Sequence, residues 1–168
     1  MGIDAFQEFI HFALTSQDVN NTAIPLSLKD AWQQVLQPAI EQIRSKLKRM
    51  AREWKHVVML ARTHGQPASP TSMGKEIYVF ADRLSEQLTL LQQIPFAGKF
   101  GGATGNFNAH CAAYPGIDWI AFADGFVSRQ LGLKRSAVTT QIDHYDHLSA
   151  IFDNLNRINT IPVSYTHL

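Results

Sequence analysis

An apolar stripe constrains this chain more than any other feature. From Leu28 through Trp32, Val35, Ala39, Ile43, Leu47 and Met50 to Trp54, apolar residues recur every three or four positions. That is the helical period, sustained over about 27 residues. A helix of that length presents an apolar face roughly 40 Å long. A small globule leaves much of such a face uncovered, whereas a bundle of long helices buries it. The helix is expected to start at Thr15 or Ser16 and to run to about Lys55. Pro38 lies inside it, so a kink or one unpaired carbonyl is expected there.

Three further segments carry the same period. One begins near Thr71 and runs to about Gln93, with Ile77, Phe80, Ala81, Leu84, Leu88 and Leu91 on one side and Pro95 beyond its end. Another covers Ile117–Leu131, with Gly132 placed as a C-cap. The last spans about Tyr145–Asn159 on Leu148, Ile151, Phe152, Leu155 and Ile158. Between them lie Thr63–Thr71 and Gly98–Gly116, rich in Gly, Pro, Ser and Thr, which read as irregular loops. Rigid helices presenting such loops are the usual way a site is built on an all-α scaffold. An all-α fold is therefore expected, with residues 1–160 as one partial helical-bundle domain. Ile161–Leu168 contain Pro162 and interrupt the period, so 161–168 read as a tail whose last residues are not the natural continuation. The whole reads as a fragment.

Composition narrows the function classes. Of 168 residues, 45% are apolar and 17% charged, which excludes a disordered tail or a coiled-coil rod. The formal net charge is +1. Its one basic cluster, Arg44–Arg52, alternates with Leu47, Met50 and Ala51 and reads as a solvated helix face, not a nucleic-acid surface. The single cysteine, Cys111, has no internal disulfide partner, which points to a reducing compartment. No apolar run approaches the ~20 residues of a membrane span, and no signal peptide is visible. A cytoplasmic protein is expected.

Four stretches carry chemistry. In Phe9–Asp18, Thr15 followed by Asp18 resembles a capping box with Asp in place of Glu. The helix start there offers N–H groups, a partial positive charge and the hydroxyls of Thr15 and Ser16, a seat for a carboxylate or phosphate. An ordinary capped helix has the same sequence. In Arg62–Thr71, two prolines stiffen a loop in which His64 stands beside Thr63, Gly65 and Gln66. An imidazole held this way suits acid–base work near neutral pH, and a stiff surface loop is the alternative. Gly98–His110 holds four glycines in eight residues. It lacks the Gly-Lys-Ser/Thr end of a Walker loop and the preceding strand of a dinucleotide fingerprint, so it hugs either a ligand or another backbone. Thr139–His147 is dense in Asp and His. His144 and His147 are three apart but have no third ligand at matching spacing, so capping at a helix start is preferred to a metal site.

Together these stretches resemble the fumarase/aspartase superfamily, and within it the bacterial adenylosuccinate lyase branch. Thr15-Ser16-Gln17-Asp18 matches the Thr-Ser-x-Asp region, and Thr63–Thr71 matches the histidine loop. Gly98-Lys99 through Asn106-Phe107-Asn108-Ala109-His110 and Thr139-Thr140-Gln141 match the remaining two motifs. The resemblance covers about residues 8–160. It implies the long-helix bundle of the superfamily's central domain and a homotetramer whose active sites are shared between subunits. It also implies cleavage of fumarate from adenylosuccinate and from succinylaminoimidazole carboxamide ribotide, with no metal or organic cofactor. By the same resemblance His64 is the general acid that protonates the departing nitrogen. Thr15, Ser16, Thr63 and Gln141 contact substrate, and His11 matches a histidine near the site. The family's Gly-Ser-Ser-x-Met-Pro loop, which supplies the serine general base, is absent from this sequence, as are the N- and C-terminal domains. Two other readings stand beside this one: a catalytically silent helical module that only self-associates, and a sister lyase acting on argininosuccinate or fumarate.

Overall fold

The computed structural model describes residues 4–167. In chain order its elements are α1 (Ser16–Ala31), α2 (Gln37–Glu53), β1 (Val58–Thr63), β2 (Gln66–Ser72), α3 (Met73–Gln93), β3 (Ala97–Gly98), α4 (Asn108–Ala113), α5 (Trp119–Asp124), β4 (Lys134–Arg135) and α6 (Asp146–Thr166). π-helical segments follow α1 at Trp32–Leu36 and α5 at Gly125–Gln130. Strands β1 and β2 pair antiparallel, and the two-residue strands β3 and β4 pair parallel. The expected all-α class is the one observed. Among the described residues no helix is long and apolar enough to cross a membrane.

The chain divides into two compact units. One comprises the residues up to Asp30 with Pro95–Ser149; the other comprises Ala31–Ile94 with the residues from Ala150 on. In the second unit, α3 buries Ile77, Phe80, Ala81, Leu84, Leu88 and Leu91, the face read from the sequence. Against it α2 contributes Leu47 and Ala51, and α6 contributes Ile151, Ile158 and Ile161. Gly74 sets how closely α3 approaches α2, since a Cβ there would lie 2.2 Å from the Ala51 carbonyl oxygen.

At Pro38 the structure answers with a local change of helix type. The proline ring would crowd the carbonyl of Gln34, and the residue has no N–H to offer it. The preceding turn widens into the π segment, where the Gln37 N–H bonds to the Trp32 oxygen. The extra residue in that turn rotates the stripe out of phase. Trp32 and Leu47 are buried, but Val35 is 63% and Ile43 46% exposed.

Two further expectations are corrected. Thr63–Thr71 is no irregular loop but most of a β-hairpin, with Thr63 opposite Gln66. Its prolines are tolerated because each strand of a two-stranded sheet has an open edge, where a missing N–H costs no ladder bond. The last helix does not stop near Asn159. It runs to Thr166, with Ile161 buried and Tyr165 edge-on to Phe80 at 5.2 Å. Pro162 costs this helix only the one bond that its own N–H would have made to Ile158.

The core of the first unit is aromatic. Phe100, Phe107, Trp119, Ala123, Val127 and Leu133 are buried together, with Phe12, Leu14 and Leu26 packed against them. Gly132, at φ +62°, ends the α5–π run where the C-cap was expected.

Candidate active site

At the start of α1, Asp18 turns back on the residue before the helix. Its Oδ2 accepts the Thr15 N–H at 2.9 Å and the Thr15 hydroxyl at 3.3 Å. This is the reaching-back half of a capping box. The carboxylate also does something that capping does not require. Its Oδ1 accepts from the Lys99 ammonium at 2.7 Å, the Gly101 N–H at 2.9 Å and the Gly102 N–H at 3.1 Å. Lys99 donates again to the Gly102 carbonyl at 2.6 Å. Both side chains of the pair are fully buried. Burial pushes the Asp18 carboxyl upward, but the hydrogen bond from Lys99, with those from Thr15 and Gly101, outweighs it and holds the group below the usual carboxylate range. The Thr15 hydroxyl hydrogen is committed to Asp18, and the neighbouring Ser16 is exposed.

The glycine loop is thus a backbone-on-backbone contact rather than an open cradle. Gly102 and Gly105 both hold φ +78°, a region that L side chains rarely adopt. A Cβ on Gly105 would lie 2.3 Å from the Thr139 carbonyl oxygen and 2.9 Å from that of Thr140. The loop therefore lies directly against the stretch that leads into Gln141, which is itself exposed. In that stretch His144 Nε2 bonds to the Val138 carbonyl at 2.9 Å, and the Asp143 carboxylate accepts the Tyr145 N–H at 3.4 Å. His11 is exposed, in the turn before Leu14.

His110 is the functional type that sequence reasoning passed over. It is 1% exposed and ringed by Phe12, Phe100, Phe107 and Trp119, the last at 4.9 Å between centroids. Among the described residues neither ring nitrogen has a partner. Burial pushes its pKa down; Asp18 opposes this and Lys99 reinforces it, and the net direction is downward. A cavity of about 560 Å³ opens beside it, walled by Phe12, Leu26, Trp119, Phe122 and Phe126. None of His11, Thr15, Ser16 or Gln141 lines that cavity. Its walls are largely apolar, with Asp18 and His110 among the lining residues.

In the other unit, Thr63 and His64 are exposed at the tip of the β1–β2 hairpin. His64 and Gly65 form its two-residue turn with φ +52° and +73°. Both values positive is the I′ geometry that matches the twist of paired strands. A histidine in the first position costs on the order of 1 kcal/mol in the left-handed region. The Gly65 carbonyl accepts from Arg62 Nη1 at 3.3 Å. At the other end the hairpin passes straight into α3, where the Ser72 hydroxyl caps the Lys75 N–H and the Thr71 hydroxyl donates to Glu76 at 2.9 Å. The tip thus presents an exposed imidazole on a short, defined turn.

Comparison with known proteins gives the chain a family. The model of a family described as Lyase matches residues 2–162. Adenylosuccinate lyase of Dictyostelium discoideum is 54% identical over 159 residues, covering 93% of this chain and 34% of that protein. Adenylosuccinate lyase of Escherichia coli is 42% identical over 163 residues, covering 97% and 36%. The chain spans about a third of the length of the curated relatives it matches. Among solved structures, the β-carboxy-cis,cis-muconate cycloisomerase of Acinetobacter calcoaceticus superposes with a TM-score of 0.74 at 24% identity, over 92% of this chain and 36% of that one. The 3-carboxy-cis,cis-muconate lactonizing enzyme of Pseudomonas putida does so at 0.75 and 22%, over 93% and 34%. These two likenesses concern the fold alone. With a family model matched along nearly its whole length, the chain belongs to the lyase family.

Proposed function

We propose that this chain is the central segment of an adenylosuccinate lyase, a C–N lyase that releases fumarate from adenylosuccinate and from succinylaminoimidazole carboxamide ribotide. The observation that carries the reading is 54% identity with a protein of that name across 93% of the chain. In the reaction a base removes the proton from the carbon next to the C–N bond, that electron pair becomes the double bond of fumarate, and the C–N pair leaves with nitrogen. His64 protonates that nitrogen, since an unprotonated amine is a poor leaving group. A positioned acid contributes roughly 10²–10⁴-fold. Thr15, Ser16, Thr63 and Gln141 hold polar groups of the nucleotide substrate, with His11 nearby, and the start of α1 favours the succinyl carboxylates. The base is a serine outside this chain.

The assembly is a homotetramer with shared sites. Its support is the exposed apolar run after α1, where Val35, Leu36 and Ile43 face outward on a helix that would otherwise leave them in water. The single cysteine supports a reducing, cytoplasmic setting.

A spectrophotometric assay on adenylosuccinate tests the reading. In the lyase that carries this segment, His64→Asn is expected to lower kcat by about 10²–10⁴-fold, and an unchanged kcat would overturn the acid role. Turnover by the 168-residue chain alone would overturn the placement of the base outside it. Preference for argininosuccinate or fumarate over adenylosuccinate would transfer the chain to a sister lyase.

A further inference from the structure

Pro25 lies buried inside α1. Lacking an N–H, it leaves the carbonyl of Asn21, four residues earlier, without its helical donor. The backbone N–H of Lys99 fills that place at 3.1 Å. One turn nearer the helix start, Asp18 takes the ammonium of the same lysine. A single loop residue is therefore bonded to α1 through both its backbone and its side chain. Gly98 fits because it has no side chain; a Cβ there would lie 3.0 Å from that same Asn21 oxygen. Past Lys99, the Gly101 and Gly102 N–H groups converge on Asp18, and Gly101 packs on Gly105, where a Cβ would lie 3.0 Å from the Gly105 oxygen. Gly105 in turn lies against the Thr139 and Thr140 carbonyls. This gives a continuous path of bonded or touching groups from Thr15 to the residue before Gln141.

Stability alone does not account for it. A buried ion pair roughly breaks even against apolar residues of similar volume. Several donors meeting on one carboxylate do set the position of each donor, and a polar group in that role specifies register. We propose that Asp18, Pro25, Lys99 and Gly105 are positioning residues that hold Gln141 at a set spacing from Thr15 and Ser16 before substrate arrives. The proposal rests on the reading of those three as substrate contacts. Proximity in a near-productive geometry is where much of an enzyme's advantage lies, and small misplacements remote from the chemistry cost rate.

Pro25→Ala is the informative variant, because it strengthens α1 locally and yet supplies an N–H that competes for the Asn21 carbonyl. In this chain, amide NMR is expected to show displaced Lys99, Gly101, Gly102, Thr140 and Gln141 resonances, with the Gln141 side-chain amide moving too. Shifts confined to α1 would overturn the proposal. In the lyase carrying this segment, Pro25→Ala is expected to raise KM for adenylosuccinate at least about tenfold with an unchanged or higher melting temperature. A purely structural role would leave KM in place, and that result would likewise overturn the proposal. Gly105→Ala approaches the path from its other end and must displace the Gly101 and Gly102 amides as well as Gln141; shifts limited to the immediate neighbours of residue 105 count against it. Absence of turnover by the unsubstituted lyase would remove the proposed reaction while leaving the amide shifts to decide the clamp.

Discussion

At the start of α1, Thr15 is held by buried charge: a carboxylate shared among an ammonium and three backbone N–H groups, two of them contributed by a loop more than eighty positions away. At the hairpin tip, His64 is held by local backbone geometry: two residues with positive φ between paired strands, one arginine bond and open solvent. The first arrangement fixes a group through many partners at once and fails if any buried partner is removed. The second fixes a backbone but leaves the side chain room to rotate. Hydroxyls that orient a substrate suit the first arrangement. A proton donor that must meet a nitrogen and then recover its proton from solvent suits the second.

The largest expected effect comes from breaking the clamp. Asp18→Ala leaves the Lys99 ammonium buried and uncompensated, so a loss of about 3–5 kcal/mol is expected in urea unfolding. A loss below about 1 kcal/mol would mean that the pair is solvated and that the two regions do not differ in kind.

Two glycines with nearly the same φ sharpen the contrast. Gly65→Ala meets open space and is expected to cost about 1 kcal/mol for its left-handed φ alone. Gly105→Ala has the same φ penalty and also collides with the Thr139 carbonyl, so roughly 2–4 kcal/mol is expected. Equal costs in thermal melts would show that the loop moves aside freely.

The unit that holds Asp18 and His110 should also respond to acid. His110 has a pKa depressed below the ordinary 6.5, so the unfolded chain takes up a proton that the folded chain resists. Its contribution is complete above about 6.5 and falls away as pH drops toward the folded value. Asp18, also depressed, contributes above the ordinary carboxylate value of 3.8 and loses that contribution as pH falls through its folded pKa. Melting temperatures should therefore decline in two steps on acidification, and His110→Phe should flatten the upper one. A profile unchanged by that substitution would assign the upper step elsewhere.

The smallest effect belongs to the tip. Asn tolerates the left-handed region, so His64→Asn is expected to alter stability by no more than about 0.5 kcal/mol. His64→Val, β-branched at φ +52°, should cost at least about 1 kcal/mol. Measured melting curves that rank the two in the opposite order would break the turn assignment.

The stripe of α3, Ile151 and Ile158 of α6, and the C-cap at Gly132 were legible because each depends on neighbours three or four residues apart, whereas Phe152, expected on the α6 stripe, is exposed. Thr15 and Asp18 were legible as a cap for the same reason. The hairpin escaped because two prolines and a glycine look like loop composition, and only pairing with Val58–Thr63 makes Gln66–Ser72 a strand. Pro25 was a readable sign that one carbonyl of α1 needs an outside donor, but nothing in a linear pattern says which residue supplies it. His110 stands between small residues in the sequence, and its burial depends on Phe12 and Trp119 closing over it.

The sequence by itself determined the central parts of the long helices, the glycine that ends the α5–π run, and which motifs carry hydroxyl, imidazole and amide groups. These depend on interactions within one or two turns. Tertiary structure decided that Asp18 holds the glycine loop as well as a cap, that Lys99 and His110 are buried, and that the helix continues past Pro162. Each of these requires taking a polar group, or one covered by distant residues, out of water. The cost or gain of that step exists only once the remote parts of the chain have met.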